Sequence, residues 1–168
     1  MNGQVPWLGF DKVQEQIGGN GAFLIGQAPG GKPNPMTIGW GFGGTCWGRA
    51  VFLVLVRPSR YTHGLIEESR EFSVSIPAGG LEEELAVCGS KSGREVDKIG
   101  ELGLEIVPGT KAQVPTLGVP GVHYECRVVA KTRLSEGGLV SVELRERYYP
   151  GGDLHTLYFG EVLAVHRR

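Results

Sequence analysis

Glycine doublets divide this chain into short apolar segments, and that division restricts the folds it can adopt. Of its 168 residues, 28 are glycines and 10 are prolines. The doublets fall at Gly18-Gly19, Gly30-Gly31, Gly43-Gly44, Gly79-Gly80, Gly137-Gly138 and Gly151-Gly152. A doublet between two short apolar runs is typical of a turn between strands, so the pattern favours a β-rich protein. We expect one domain over residues 1–168, because the chain shows no linker, low-complexity tract or internal repeat.

Hydrophobic periodicity predicts many strands and few helices. Strands are expected at residues 22–27, 36–40, 50–56, 71–76, 102–107, 122–130, 139–144 and 154–165. Helices are expected at residues 10–17, 62–69, 81–87 and 97–99, and a glycine loop at residues 41–44. A parallel, doubly wound sheet would need a helix after most strands, and the last third of the chain reads as strand alone. We therefore expect a mainly β fold, a closed or nearly closed antiparallel barrel with short helices.

Two of these strands carry finer predictions about burial. Residues 71–76 alternate polar and apolar side chains, which predicts a strand with one face buried. In the strand at residues 122–130, Cys126 shares a face with Tyr124 and Val128, so Cys126 is expected in the core.

Charge, hydropathy and cysteine content restrict the class of partner. The chain has 17 basic and 18 acidic residues, and this balance argues against a broad nucleic-acid surface. Its longest apolar run, residues 50–56, is too short to cross a bilayer, so no membrane partner is expected. Residues 1–7 lack the basic and apolar pattern of a secretory signal. The three cysteines have no paired spacing, which fits a reducing compartment and predicts a cytoplasmic protein.

Several familiar motifs can be discounted. Residues 39–44 match the Gly-x-Gly-x-x-Gly dinucleotide pattern, but a β-branched strand follows where a helix is required. A glycine bend that lets a flat group approach the backbone is the better interpretation. The four histidines are dispersed and no Cys-x-x-Cys is present, so no metal site is expected. Nothing marks a Cys–His nucleophilic pair, although the residue types alone leave one open.

One cluster with anion-binding chemistry lies at residues 56–62, Val-Arg-Pro-Ser-Arg-Tyr-Thr, between a predicted strand and a predicted helix. Thr62 is expected to cap the helix, whose free N–H groups would attract an anion. Arg57 and Arg60 add forked donors that match phosphate geometry. The local chemistry predicts a phosphate site.

A second cluster lies at residues 88–98 and combines small residues, hydroxyls and basic side chains. If the two clusters converge, they would surround one phosphate. The alternative is that each is a solvated polar loop that begins a helix.

Together with the segment Asn34-Pro35-Met36-Thr37-Ile38-Gly39-Trp40, these clusters resemble the flavin reductase-like, FMN-binding split-barrel family, and within it the flavoredoxin-type members. Such members carry Asn-x-Met-Thr-x-Gly-Trp, then Arg-Pro-Ser-Arg-Tyr-Thr, then Cys-Gly-x-x-Ser-Gly-Arg-x-x-Asp-Lys. Residues 155–162 are similar to the last barrel strand of that family. The resemblance implies a six-stranded antiparallel split barrel of Greek-key type, assembled as a homodimer that holds FMN near its interface.

The resemblance also implies which residues touch the cofactor. Those expected at the phosphate are Arg57, Ser59, Arg60, Tyr61, Thr62, Lys91, Ser92 and Gly93. Those expected at the isoalloxazine ring are Asn34, Met36 and Thr37, with Cys46 and Trp47 on the next loop at its border. His155 is expected where a hydride donor or protein partner approaches. One departure is visible, since Leu154 separates Asp153 from His155, where family members often place the two together.

Two activities fit this resemblance: a flavoredoxin-like carrier that takes electrons from a protein redox partner, and a flavin reductase that uses NADH or NADPH. The chain has no separate nicotinamide signature, which favours the carrier. A flavin or haem sensor without redox work and a relative of pyridoxamine-phosphate oxidase stay open as alternatives, and the Arg-Pro-Ser-Arg-Tyr-Thr segment weighs against the second.

Overall fold

The computed structural model describes Trp7 and residues 9–168, so the expectation about a secretory signal concerns residues that lie mostly outside the described part. The described residues form nine strands: β1 Ala22–Gly26, β2 Asn34–Ile38, β3 Gly41–Cys46, β4 Arg49–Val56, β5 Glu71–Pro77, β6 Ile106–Val107, β7 Thr116–Leu117, β8 Gly121–Arg133 and β9 Thr156–Arg167. The same part of the chain forms five helices: α1 Phe10–Gly18, α2 Tyr61–Ser69, α3 Glu82–Ser90, α4 Lys98–Leu102 and α5 Val142–Tyr148.

Seven of the strands form one antiparallel sheet in the order β2-β1-β5-β8-β9-β4-β3, and β6 pairs with β7 in a separate ribbon. Only Gly39 and Trp40 separate β2 from β3, yet these two strands lie at opposite edges of the sheet. The chain itself thus passes from one edge to the other. If β2 and β3 are counted as one bent strand, the sheet has six strands, as the predicted split barrel requires.

The interior of the barrel is packed with large apolar side chains, among them Phe52, Phe72 and Tyr124. Cys126 is fully buried there, as predicted. A second apolar cluster lies beneath α3 and includes Leu85 and Cys88. It fixes α3 against β1 and β2, which matters for the site described below.

The predicted glycine loop at residues 41–44 is wrong, because these residues begin β3 and pair with β4. A Cβ on Gly43 would lie 2.2 Å from the ring of Trp7. The missing side chain therefore lets the Trp7 ring lie directly against the strand backbone, which agrees with the expected close approach of a flat group. A strand follows the glycines rather than a helix, so the dinucleotide interpretation is excluded.

The predicted strand at residues 139–144 is also wrong, since α5 begins there. Ser141 caps α5 by accepting a hydrogen bond from the Leu144 amide at 3.3 Å. Of the strand predicted at residues 102–107, only Ile106–Val107 is a strand.

The strand β5 is buried along its whole length rather than on one face. The reason is that β7 and the preceding Pro115 cover its polar side. Ser73 donates to the carbonyl of Pro115 at 2.5 Å, and Ser75 accepts from the amide of Leu117 at 3.1 Å.

Within the described residues, none of the helices has the length and apolar character needed to traverse a bilayer. Three or more His, Cys, Asp or Glu side chains arranged to hold a metal ion are likewise not found in this part of the chain.

Candidate functional site

The two polar clusters predicted from the sequence meet at one recess of about 230 Å³. Strand β2, the start of α2, the end of α3 and the loop after α3 form its walls. The lining residues are Asn34, Met36, Ser59, Arg60, Tyr61, Thr62, Ser90, Lys91, Ser92, Gly93 and Lys98. The convergence of the clusters is therefore confirmed, and we call this cavity the phosphate-type recess.

Carbonyl groups at the carboxyl end of α3 hold two of the cations in place. The Arg60 guanidinium donates to the carbonyl of Gly89 at 2.9 Å. The Lys98 ammonium donates to the carbonyls of Pro35 at 2.7 Å and Cys88 at 3.3 Å. The last carbonyls of a helix lack intrahelical partners and carry partial negative charge, so they attract cations. The end of α3 thus orients both cations at the recess.

The recess carries unbalanced positive charge. Three of its lining residues, Arg60, Lys91 and Lys98, are basic, and no lining residue is acidic. None of the three forms an ion pair with a carboxylate in the described part of the chain. Lys98 is only 3% exposed, and burial lowers the pKa of its ammonium. A buried ammonium that bonds only to carbonyls leaves a site to which an anion is well suited.

The predicted helix cap is wrong by two residues. Arg60 takes the N-cap position of α2 and makes no side-chain cap, so the free N–H groups of the first turn lie in the wall of the recess. The Thr62 hydroxyl instead accepts from the Asn34 amide at 2.8 Å. That bond ties β2 to α2 and closes one side of the recess.

Gly93 lets the loop after α3 close over β2. A Cβ at this position would lie 1.9 Å from Asn34 Oδ1 and 2.9 Å from Tyr61 Cδ1. No side chain fits there unless the loop moves away from both residues. Glycine is therefore required because there is no room for a side chain, and not because the backbone has a positive φ.

Among the residues expected at the flavin ring, Asn34 and Met36 line the recess, whereas Thr37 does not. The Thr37 hydroxyl donates to the carbonyl of Leu85 at 2.5 Å and so attaches β2 to α3. Its predicted contact with a ring stays a prediction.

Arg57 points away from the recess. Its guanidinium donates to the carbonyl of Tyr148 at 2.7 Å and lies 5.0 Å from the centroid of the Tyr149 ring. Ser59 lines the recess, and its hydroxyl donates to Asp153 at 2.5 Å. The junction at residues 57–60 is thus bound to the segment that follows α5.

His155 lies beside this junction and is 7% exposed. Its Nδ1 is 2.6 Å from the Tyr149 hydroxyl, and its ring is 5.3 Å from that of Trp40. Burial, with a smaller contribution from the positive charge of Arg57, lowers the pKa of His155 to about 4. The imidazole is therefore neutral at neutral pH. Asp153 bonds to Ser59, and the Tyr149 hydroxyl is the group that contacts Nδ1 of His155.

Cys46 and Trp47 do not line the recess. They lie at the hairpin between β3 and β4, where Trp47 and Gly48 both have positive φ, as a tight two-residue turn requires. The Trp47 side chain packs 5.7 Å from Phe159, and the residue is 63% exposed. Their predicted place beside a flavin ring stays a prediction.

Sequence reasoning did not identify Ser90, Lys98 and Tyr149 as residues of the site. Ser90 and Lys98 belong to the quoted segment 88–98, so the motif itself was the available signal. Nothing in the sequence marks Tyr149, because its role depends on a turn after an unpredicted helix.

Comparison with known proteins places this geometry in a family. The model of the flavin reductase like domain matches residues 19–168. An uncharacterized protein of Archaeoglobus fulgidus is 32% identical over 134 residues, which cover 80% of this chain and 65% of that protein. The chain spans between about half and two thirds of the length of the curated relatives that it matches.

Solved structures agree with the fold. A flavoredoxin from Methanosarcina acetivorans has a TM-score of 0.69 and 26% identity, covering 88% of this chain and 68% of that one. An FMN-binding protein from Thermus thermophilus has a TM-score of 0.68 and 28% identity, covering 88% and 71%. The split-barrel fold and the resemblance stated from the motifs are confirmed. The FMN-binding structural neighbour supports a flavin as the class of cofactor. The chain belongs to the flavin reductase-like domain family.

Proposed function

We propose that this chain binds FMN, with the FMN phosphate in the phosphate-type recess, and transfers electrons through the bound flavin. One observation carries the proposal: segments some thirty residues apart in sequence place three basic side chains around a recess that no acidic side chain lines. A dianionic phosphate satisfies this charge and matches the available donors. The FMN-binding protein of Thermus thermophilus supports this choice of flavin.

The residues of the recess fit a phosphate in kind as well as in charge. Arg60 and Lys91 would supply charged donors, and Ser59 and Ser92 would supply hydroxyls. The first turn of α2 would add main-chain amides. Asn34 and Met36 would face the flavin side of the phosphate. The flavin supplies its own redox chemistry when bound, so the protein needs to bind, orient and tune it.

His155 would influence the approach of a reductant without carrying charge. Since its imidazole is neutral at pH 7, it would act through hydrogen bonding rather than as a fixed cation. We expect His155→Ala to retain FMN with unchanged affinity but to slow reduction of the flavin. Stopped-flow absorbance with a chemical reductant measures this rate. Equal rates in both proteins would make His155 structural.

We further propose a carrier of flavoredoxin type that takes electrons from a protein partner and works as a homodimer. The absence of a nicotinamide signature supports the carrier over an NADH- or NADPH-dependent reductase. The exposed apolar side chains of Trp47 and Val129 line one shallow recess, which supports a second copy as its cover. Mixing the protein and FMN with NADH or NADPH decides the first point, because rapid bleaching would identify a reductase. Light scattering of the protein as it elutes from a size-exclusion column gives its molar mass, which tests the homodimer.

The central test compares two flavins. Riboflavin lacks the phosphate of FMN, so it should bind at least about tenfold more weakly if the recess holds that group. Quenching of flavin fluorescence measures both affinities. A colourless protein that binds neither flavin, or equal affinities for the two, would contradict the proposal.

A further inference from the structure

The hydroxyl of Tyr149 has one polar partner in the described part of the chain. It lies 2.6 Å from Nδ1 of His155, and no other described residue bonds to it. Tyr149 is buried and takes the C-cap position of α5. The Arg57 guanidinium lies 5.0 Å from the centroid of the tyrosine ring, and the His155 ring meets that ring edge to face at 5.5 Å. The phenol is therefore held in place against the imidazole.

The position of one proton in this contact decides the tautomer of His155. Burial raises the pKa of Tyr149, so the phenol keeps its proton at neutral pH, where the imidazole is uncharged. If Nδ1 were the donor, the phenol proton would find no acceptor among the described residues. The phenol therefore donates to Nδ1, and the ring proton of His155 lies on Nε2.

Nε2 of His155 reaches the surface. It bonds to no described residue, whereas every buried polar side-chain atom in the described part of the chain has a partner. Nε2 is therefore not buried, although most of the side chain is. The Trp40 ring lies 5.3 Å from the imidazole, and Trp40 is 40% exposed. His155 thus offers one N–H group to solvent beside an exposed indole.

The chain connects this N–H group to two walls of the phosphate-type recess. Trp40 lies two residues after β2, whose side chains form one wall. Asp153 lies two residues before His155 and accepts from the hydroxyl of Ser59, which lines the recess as well. The position of His155 therefore depends on the same segments as the recess.

A carboxylate in place of the Tyr149 hydroxyl would have the opposite effect on the imidazole. A carboxylate only accepts, so it would hold the ring proton on Nδ1 and leave Nε2 as an acceptor. Asp153 is close in sequence, but its two oxygens face Ser59, at 3.4 Å from the amide and 2.5 Å from the hydroxyl. The Tyr149 hydroxyl is therefore the group that selects the tautomer.

We propose that Tyr149 is a positioning residue that holds His155 with its proton on Nε2, so that His155 donates a hydrogen bond at this surface and cannot accept one. A group that approaches His155 must then bring an acceptor atom, such as a carbonyl oxygen. The inference rests on the proposed function for what the donor serves, namely the reductant or partner of the bound flavin. The tautomer itself does not depend on a flavin.

The first experiment measures the tautomer on flavin-free protein with isotope-labelled histidine. Proton–nitrogen correlation spectra at neutral pH distinguish a protonated ring nitrogen from an unprotonated one, and the signals that His155→Ala removes belong to His155. We expect Nε2 to be protonated and Nδ1 to be unprotonated. Tyr149→Phe removes the hydroxyl but keeps the ring that contacts Arg57, so the fold should tolerate it. In this variant the two nitrogen shifts should move towards each other, because both tautomers become populated.

Tyr148→Phe is the matched control. Tyr148 is the neighbouring residue, its ring lies 5.0 Å from that of Trp40, and its hydroxyl bonds to no described residue. This variant should leave the nitrogen shifts of His155 unchanged. A proton on Nδ1 in the unaltered protein, or unchanged shifts in Tyr149→Phe, would overturn the inference. A tyrosine that only supports the fold would lower the free energy of unfolding without moving these shifts.

The second experiment uses protein loaded with FMN and reduced by dithionite, whose oxygens accept hydrogen bonds. Tyr149→Phe should slow reduction by about two- to tenfold, which corresponds to the net strength of one hydrogen bond, with unchanged FMN affinity. Tyr148→Phe should reduce at the rate of the unaltered protein. If His155→Ala slows reduction and Tyr149→Phe does not, the inference is overturned and the proposed role of His155 stands. If no flavin binds, the proposed function fails, and the nitrogen shifts alone support or overturn the tautomer.

Discussion

Arg57 and Arg60 lie three residues apart in the same junction, yet they point into regions of different character. Arg60 enters a recess where cations outnumber anions and carbonyls orient them. Arg57 enters an aromatic region, where its guanidinium is engaged by the Tyr148 carbonyl and the Tyr149 ring. A basic sequence motif therefore does not assign one role to all of its arginines. The first arginine contacts the aromatic region beside His155, and the second lines the recess proposed to hold the FMN phosphate.

The largest effect should come from the arginine that faces the recess. Arg60→Ala should weaken FMN binding by about 1.5–3 kcal/mol, because it removes a charge-assisted bond to phosphate. Fluorescence titration measures this loss. Arg49→Ala is the matched control, since Arg49 is an exposed arginine paired with Glu161 outside the recess. Unchanged FMN affinity in Arg60→Ala would remove the distinction between the two arginines.

A second test alters the wall of the recess without changing its charge. Gly93→Ala should cost about 1–3 kcal/mol in FMN affinity or in the free energy of unfolding, because the new Cβ displaces Asn34 and Tyr61. Gly89→Ala is the control in the same segment, where the nearest atom to a Cβ is Thr37 Cβ at 3.4 Å. Chemical denaturation and FMN titration of both variants separate the two effects. If the two variants have the same FMN affinity and the same free energy of unfolding, the loop at Gly93 can move aside without an energetic cost.

The opposite result is expected for the arginine that faces the aromatic region. Arg57→Ala should lower the free energy of unfolding by about 1–2 kcal/mol, because it removes a charged hydrogen bond and a cation–π contact. Its FMN affinity should stay within about threefold of the unaltered protein. Denaturation midpoints and FMN titration give the two quantities. A loss of affinity as large as that of Arg60→Ala would place both arginines at the phosphate.

The smallest and most local prediction concerns the titration of His155. Its pKa is lowered to about 4 from the usual 6.5 because the ring is buried, so the unfolded chain binds a proton more readily than the folded protein. This group therefore favours folding above pH 6.5, and its contribution is lost as the pH falls from 6.5 towards 4. Proton NMR of the imidazole resonances measures the value. Titration near 6.5 would contradict the buried setting beside Tyr149.

Burial lowers the pKa of His123 to about 4 as well, so the NMR signals must be assigned. His155→Ala identifies the resonance that disappears. The two histidines differ in their partners, since His123 bonds to Ser75 and the carbonyl of Val119.

The amino-acid sequence predicted correctly those strands and helices whose formation depends mainly on neighbouring residues. The continuous apolar run at residues 50–56 became β4, and the Pro-Ser-Arg-Tyr-Thr segment does begin a helix. Residues 139–144 misled because Val142 and Leu144 alternate with polar residues as a strand would, yet both stay exposed on α5. The cap at Ser141 was a helix signal that the alternation obscured.

The candidate site was predictable as a set of segments and less so as a set of side chains. Order and chemistry identified the two clusters, and the fold brings them together. The direction of Arg57 and the burial of Lys98 depend on contacts with Tyr148 and with β2, which are far away in sequence. The bond between Asp153 and Ser59 depends likewise on a turn after α5. Such contacts follow from tertiary packing, which no local pattern encodes.

The anchoring of Arg60 and Lys98 on the carboxyl end of α3 has a thermodynamic consequence. These two long side chains are immobilised when the protein folds. Their conformational entropy is therefore lost during folding and does not weaken the binding of a ligand. Free and loaded forms should superimpose closely at this recess, and salt should affect the speed of capture more than the shape of the cradle.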